Sequence, residues 1–108
     1  MISNQILQNT IDGLKAITRI DLCVMDTDGK SLASTFAEQE NYEASVLSFV
    51  ESPADSQVIQ GYQFFKVFDE NQLEYILLAK GSNEDVYMVG KMVVFEIQIG
   101  RASCRERV

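Results

Sequence analysis

The chain has 108 residues and a formal net charge of −7, and it contains no histidine. This length allows one domain with a modest core, and the 46% apolar content is that of an ordinary soluble globular domain. The negative charge excludes binding to nucleic acid or an anionic membrane by long-range attraction, and the lack of histidine removes the commonest general base and metal ligand. We expect no cofactor and no membrane partner. Because no secretion signal or spanning segment is visible, we expect a cytoplasmic protein.

The first predicted element is a helix from about residue 4 to residue 18, with Ser3 as its N-cap. At 100° per residue, several apolar side chains fall on one face of this helix, whereas polar side chains cover the opposite face. The apolar set is Ile6, Leu7, Ile11, Leu14 and Ile17. The pattern therefore predicts a helix that packs against a sheet or a partner helix.

A β-hairpin follows the helix and is the most distinctive stretch of the chain. Leu22 and Val24 alternate with Asp21 and Cys23, which is the period of a strand. Residues 26–29 read Asp-Thr-Asp-Gly and predict a turn, since Asp caps its own backbone and Gly adopts positive φ at no steric cost. A more polar strand then returns over residues 30–34. In this setting Cys23 is predicted to be a buried, inert thiol.

The second half of the chain predicts a helix over residues 42–51, stopped by Pro53, and then a loop with at most a short extended piece at residues 58–59. Strands are predicted over residues 62–68 and 73–80. A last helix over about residues 83–98 follows a capping-box pattern at residues 82–85. The order indicates an α+β domain: a four-stranded antiparallel sheet with flanking helices on one face, like PAS, GAF and profilin-like domains.

The last ten residues, 99–108, differ in composition from the rest and hold three of the nine basic residues. Translation of a widely used short-read sequencing adapter in one reading frame gives this same run of ten residues. We therefore interpret residues 1–98 as one domain of a longer protein and residues 99–108 as a non-native tail. On this interpretation Cys104 is not a candidate for redox chemistry.

Residues 1–98 resemble the N-terminal sugar-diacid recognition domain of carbohydrate-diacid regulators of the PucR type. The resemblance rests on the amphipathic start, the strand and turn over residues 22–30, the small polar run over residues 33–35, the aromatic strand over residues 61–68 and the helix from Asp85. It implies a non-catalytic sensor domain of a bacterial transcription regulator, which binds DNA only through a C-terminal helix-turn-helix that this chain lacks. No arginine pair suited to holding two carboxylates is found, so the resemblance leaves the ligand open.

If an organic acid binds, we expect it between the sheet and the segment from residue 34 to residue 60, where hydroxyl, amide and ammonium donors are available. The candidate ligand-binding residues are Ser34, Thr35, Gln60, Tyr62 and Lys66. For Ser34 and Thr35, ordinary solvation of a strand end is the competing interpretation. The aromatic residues near Tyr62 could line a pocket or form core.

Two other functions remain as alternatives. One is a dimerisation scaffold without a ligand, of the roadblock or profilin-like type. The other is a fragment of a haloacid-dehalogenase-like phosphatase, because Asp26 and Asp28 have the spacing of that nucleophile and acid. A helix precedes the strand here and the later motifs of that family are missing, so the turn is the better interpretation. A calcium loop is rejected because Lys30 stands at its fifth position.

We also expect a homodimer formed through the first and last helices. The last helix carries a stripe of small and branched apolar residues, which we assign to the interface: Val86, Val89, Gly90, Val93 and Ile97. We expect this because four short strands cannot cover two apolar helices with one face.

Overall fold

The computed structural model describes residues 3–37, 42–81 and 83–106, and the side chains of these ranges through residue 98. The elements follow in the order α1 (Asn4–Thr18), β1 (Leu22–Met25), β2 (Ser31–Ser34), α2 (Glu43–Glu51), β3 (Ser56–Ile59), β4 (Tyr62–Asp69), β5 (Gln72–Lys80) and α3 (Glu84–Glu106). The predicted α+β class is confirmed.

The sheet has five strands in the order β2-β1-β5-β4-β3, and every neighbouring pair is antiparallel. The prediction of four strands was wrong because β3 was assigned to a loop. This strand pairs with β4 through a two-residue connection, Gln60 and Gly61, whose φ angles of 51° and 82° are both positive. Positive φ at both positions is the signature of a type I′ hairpin turn, which matches the twist of the strands it joins.

Helices cover both faces of the sheet, so the expectation of helices on one face was wrong. Strand β1 is buried throughout: Leu22 and Val24 belong to the core under α1 and α3, whereas Cys23 and Met25 belong to a second core under α2. Strand β4 likewise divides its aromatic residues between the two cores. Because side chains alternate between faces, a strand covered on both sides reads as a continuous apolar run.

Helix α1 begins and ends as the sequence predicts. The Ser3 hydroxyl accepts a hydrogen bond from the Ile6 backbone N–H at 3.2 Å, and Arg19 ends the helix in the left-handed conformation with φ 63°. The predicted apolar face is wrong at its two ends, because Ile6 and Ile17 are 50% and 80% exposed. The contact with the sheet is made by the narrower set of Leu7, Ile11 and Leu14.

Helix α3 starts after Asn83, whose side-chain Oδ1 accepts a hydrogen bond from the Val86 N–H at 3.0 Å. Ser82, the first residue of the predicted capping box, lies outside the described residues. The predicted interface stripe is core instead: Val93 is fully buried, and Gly90 lies against the Phe65 ring. A five-stranded sheet is wide enough to take both α1 and α3 on one face, so the argument for an interface at this stripe fails.

Among the residues that the structure describes, no helix combines the length and the apolar composition needed to cross a membrane.

Candidate functional site

Three chain segments meet at one end of the sheet. Asp21 directly precedes β1, Tyr62 begins β4 and Lys80 ends β5. Tyr62 and Lys80 are direct partners in the β4–β5 ladder, and the Lys80 N–H donates to the Asp21 carbonyl at 3.0 Å. The antiparallel register therefore brings a carboxylate, a phenol and an ammonium group together, although they are far apart in the sequence.

A cleft of about 140 Å³ opens between these residues and the segment after β2, and we call it the Lys80 cleft. It is lined by Asp21, Phe36, Ala37, Tyr62 and Lys80. Phe36 and Tyr62 give the cleft aromatic surface, whereas Lys80 and Asp21 give it one cation and one anion. Polar groups contribute more of the lining surface than apolar groups do, so the cleft suits a small charged molecule better than an apolar one.

The aromatic wall of the cleft is a cluster of three rings. The Phe36 ring lies 5.5 Å from Tyr62 and 5.9 Å from Tyr42, and the two tyrosine rings are 5.2 Å apart. Their planes are tilted by 50–71°, which are arrangements that aromatic pairs favour. Phe36 and Tyr62 line the cleft, and Tyr42 packs against both of their rings.

The Asp21 carboxylate is already paired. Its Oδ1 lies 2.6 Å from the Lys15 ammonium group, and the Thr35 hydroxyl donates to the same oxygen at 3.0 Å. The hydrogen bond from Lys15 lowers the pKa of Asp21, and the Thr35 bond and the charges of Lys15 and Lys80 act in the same direction, while burial opposes them. The Asp21 carboxylate therefore stays ionised and is held by α1. Lys80 is the cation that lines the cleft, and its ammonium group makes no side-chain ion pair within the described part of the chain.

The predicted site residues Ser34 and Thr35 have structural partners. The Ser34 hydroxyl accepts from the Phe36 N–H at 3.0 Å, which turns the chain after β2. The Thr35 hydroxyl accepts from the Leu22 N–H at 2.9 Å, in addition to its bond to Asp21. These contacts place Thr35 behind Asp21, where it fixes the carboxylate.

The other three predicted residues lie in three different places. Gln60 is exposed in the β3–β4 turn. The Lys66 ammonium lies 5.1 Å from the centre of the Phe49 ring and donates to the Ser52 carbonyl at the end of α2. Of the five predicted residues, Tyr62 alone lines the Lys80 cleft as the structure describes it.

Sequence reasoning missed Asp21, Phe36 and Lys80 as members of a site. A signal for Lys80 was present, because a hairpin that turns near residues 69–72 brings the end of β5 beside the start of β4. Phe36 carried no comparable signal, since it lies in an irregular segment whose position depends on the aromatic contacts.

Residues 26–30, which the phosphatase alternative would use for catalysis, form a turn whose first carboxylate is occupied by backbone N–H groups. The Asp26 Oδ1 accepts hydrogen bonds from the N–H groups of Asp28 and Lys30, both at 2.9 Å, so this carboxylate caps its own turn. Burial raises the pKa of the Cys23 thiol, which disfavours the reactive thiolate. No cluster of three potential metal-ligating side chains occurs within the described ranges.

Comparison of the sequence with protein-family models finds no match, and comparison with curated proteins finds no match either.

Proposed function

We propose that this domain is the non-catalytic sensor of a bacterial transcription regulator and that it binds a small organic acid in the Lys80 cleft. The observation that supports this most is the arrangement at the sheet end. Lys80 lies beside the Phe36 and Tyr62 rings, and Asp21, the carboxylate that lines the cleft in the described part of the chain, is already paired with Lys15. The resemblance to sugar-diacid recognition domains is the reason for testing organic acids, and it leaves the particular acid open.

The charges explain how an acidic domain would take an anionic ligand. A net charge of −7 repels anions at long range, so affinity has to come from local contacts. In the proposed complex, a ligand carboxylate accepts hydrogen bonds from the Lys80 ammonium and the Tyr62 hydroxyl, and the carbon chain lies against Phe36. Charge-assisted hydrogen bonds of this kind are about twice as strong as neutral ones.

The volume of the cleft limits the ligand. Pockets for drug-sized molecules measure about 300–1,000 Å³, whereas the Lys80 cleft measures about 140 Å³. The proposed ligand is therefore an acid of a few carbon atoms, or a sugar diacid that places one end in the cleft while its remaining hydroxyls and second carboxylate extend out of it.

The experiment is a thermal melt of the domain with a panel of four- to six-carbon organic diacids and sugar diacids. A ligand at about 100 times its dissociation constant stabilises the folded state by about 2.7 kcal/mol, which raises the melting temperature by many degrees. We expect the shift to be lost in Lys80→Ala and reduced in Tyr62→Phe. Lys30→Ala, which removes an exposed cation from the β1–β2 turn, is the matched control and should keep the full shift.

Absence of a shift with every acid, or an unchanged shift in Lys80→Ala, contradicts the proposed site. If Lys66→Ala abolishes the shift and Lys80→Ala does not, the ligand lies nearer α2, as the sequence alone predicts.

A second candidate function is a dimerisation scaffold that binds no ligand. The observation that favours it is the outer surface of α3, where three large apolar side chains are exposed: Met88, Met92 and Phe95. Under this alternative the panel of acids produces no shift while self-association persists.

A further inference from the structure

Helix α3 carries a second apolar stripe on the side away from the sheet. Met88, Met92 and Phe95 are 58%, 63% and 62% exposed. Their spacing of four and three residues places them within an arc of about 60° at 100° per residue. Exposed apolar side chains that are contiguous mark an interaction surface, whereas single ones are ordinary. We call these three residues the outer stripe.

The outer stripe has the form of a short heptad seam. If Met92 is assigned to position a, Met88 and Phe95 occupy position d, and the exposed residues Lys91 and Glu96 occupy the flanking positions g and e. Lys91 and Glu96 are therefore on opposite flanks of the stripe, and they carry opposite charges. Neither residue has a side-chain ion pair within the part of the chain that the structure describes.

We propose that α3 pairs with α3 of a second copy of this chain, with the two helices parallel and in register. In a parallel pair, position g of one helix faces position e of the next heptad on the other helix. Lys91 of each copy then faces Glu96 of the second copy, which gives two symmetric ion pairs around the apolar seam.

The charge pattern selects this orientation over the reverse one. In an antiparallel pair, equivalent flanks face each other, so the two Lys91 flanks meet and the two Glu96 flanks meet. Like charges in those positions destabilise the pair. The sheet packs on the opposite side of α3, through Val93 and Gly90, so the two domains lie outside the helix pair without obstructing it.

The expected dimer is weak. Stable interfaces involve about 20–30 residues on each side, whereas the outer stripe and its flanks provide five residues per copy. We therefore expect self-association that becomes measurable only at high micromolar concentrations of the protein. The inference does not depend on the ligand proposed above, because the Lys80 cleft lies at the sheet end and shares no residue with the outer stripe.

Disulfide trapping tests the orientation in the full chain, with Cys104→Ser to leave the buried Cys23 as the background thiol. Met88→Cys and Phe95→Cys are made separately. A disulfide requires Cα atoms within about 7 Å, and residues seven apart on a helix are separated by about 10.5 Å. A parallel, in-register pair traps both variants as dimers, whereas an antiparallel pair can bring only one of these positions beside its equivalent. Ala16→Cys, on the exposed side of α1, is the control and should remain monomeric.

Charge exchange tests the flanking contacts by analytical ultracentrifugation. Lys91→Glu places two acidic side chains opposite each other on both flanks, so dimerisation should weaken by about tenfold or more. Glu96→Lys should weaken it similarly, and the double exchange should restore it. Lys30→Glu makes the same charge change away from α3 and should leave the dimer unchanged. A monomer at about 200 µM, trapping of one cysteine variant alone, or failure of the double exchange to restore dimerisation overturns the proposal.

Discussion

Gly13 and Gly90 both lie within helices, and the structure predicts opposite effects of replacing them with alanine. A Cβ atom built on Gly90 would lie 2.2 Å from Cε1 and 2.3 Å from Cζ of Phe65. The Phe65 ring is 1% exposed and packs at 5.7 Å against the Tyr87 ring, so it has little room to move. A Cβ on Gly13 would have no heavy atom within 4 Å.

The magnitudes follow from two opposing effects. Alanine is favoured over glycine in a helix by about 1 kcal/mol, and this gain applies at both positions. At Gly90 the added methyl group also forces Phe65 or α3 to shift, and overpacking of a core costs about 1–3 kcal/mol, sometimes more. Because a contact of 2.2 Å puts the cost at the upper end of this range, we expect Gly90→Ala to lower the free energy of unfolding by about 2 kcal/mol after the helical gain is subtracted, and Gly13→Ala to raise it by up to about 1 kcal/mol.

Urea unfolding followed by far-ultraviolet circular dichroism measures both variants. The double variant Phe65→Leu with Gly90→Ala provides the coupling test: removal of the ring should make Gly90→Ala much less costly than it is in the natural background. If Gly90→Ala is as stable as the natural chain, or if its cost is the same with and without the Phe65 ring, then the close packing of α3 on β4 is not the reason for glycine at this position.

Two further predictions concern polar contacts. Gln8→Ala removes two hydrogen bonds, of 2.9 and 3.0 Å, between this side chain and the backbone of Ser34. The free energy of unfolding, measured in urea, should fall by about 1–2 kcal/mol. The control Gln5→Ala loses only an exposed contact with Asn9 and should stay within about 0.5 kcal/mol of the natural chain. Asp21 has a lowered pKa in the folded state, so its stabilising contribution is complete above its unfolded pKa of about 3.9 and is lost as the pH falls through the folded value. Melting temperatures from pH 7 to pH 2.5 should therefore fall less steeply in Asp21→Asn than in the natural chain, while the exposed-turn control Asp28→Asn should follow the natural curve.

The elements with strong local signals are those that the sequence predicts best. Helix α1 has a serine cap and a clear polar face, and its predicted bounds agree with the structure. Strand β3 has neither kind of signal: Gln57 and Val58 are exposed at the sheet edge, so the strand exists because of its pairing with β4 rather than its own pattern. Pairing partners of this kind are non-local, and one sequence does not reveal them.

Helix α3 shows a different limit. It has apolar residues on two sides, and periodicity alone does not say which side faces the sheet. The side of α3 that carries Gly90 packs against Phe65 and is buried, whereas the larger side chains of the outer stripe are exposed. The candidate site had the same difficulty. Tyr62 was identified from its strand, but Lys80 and Phe36 join it only through the sheet register and the ring contacts.

The two edges of the sheet are unequal because of Gln8. At the β2 edge, its side-chain amide donates to the Ser34 carbonyl and accepts from the Ser34 N–H, as a neighbouring strand would. At the β3 edge, the register with β4 directs the N–H and C=O groups of Ser56 and Val58 outward. Head-to-tail growth would need β2 of one molecule to pair with β3 of the next, and such a contact repeats without closing. Because Gln8 already pairs with the outward-facing groups of Ser34, a β2 strand offers fewer free backbone groups to a second molecule than a β3 strand does. A single glutamine on α1 thus makes open-ended, head-to-tail growth through the β2 edge less favourable.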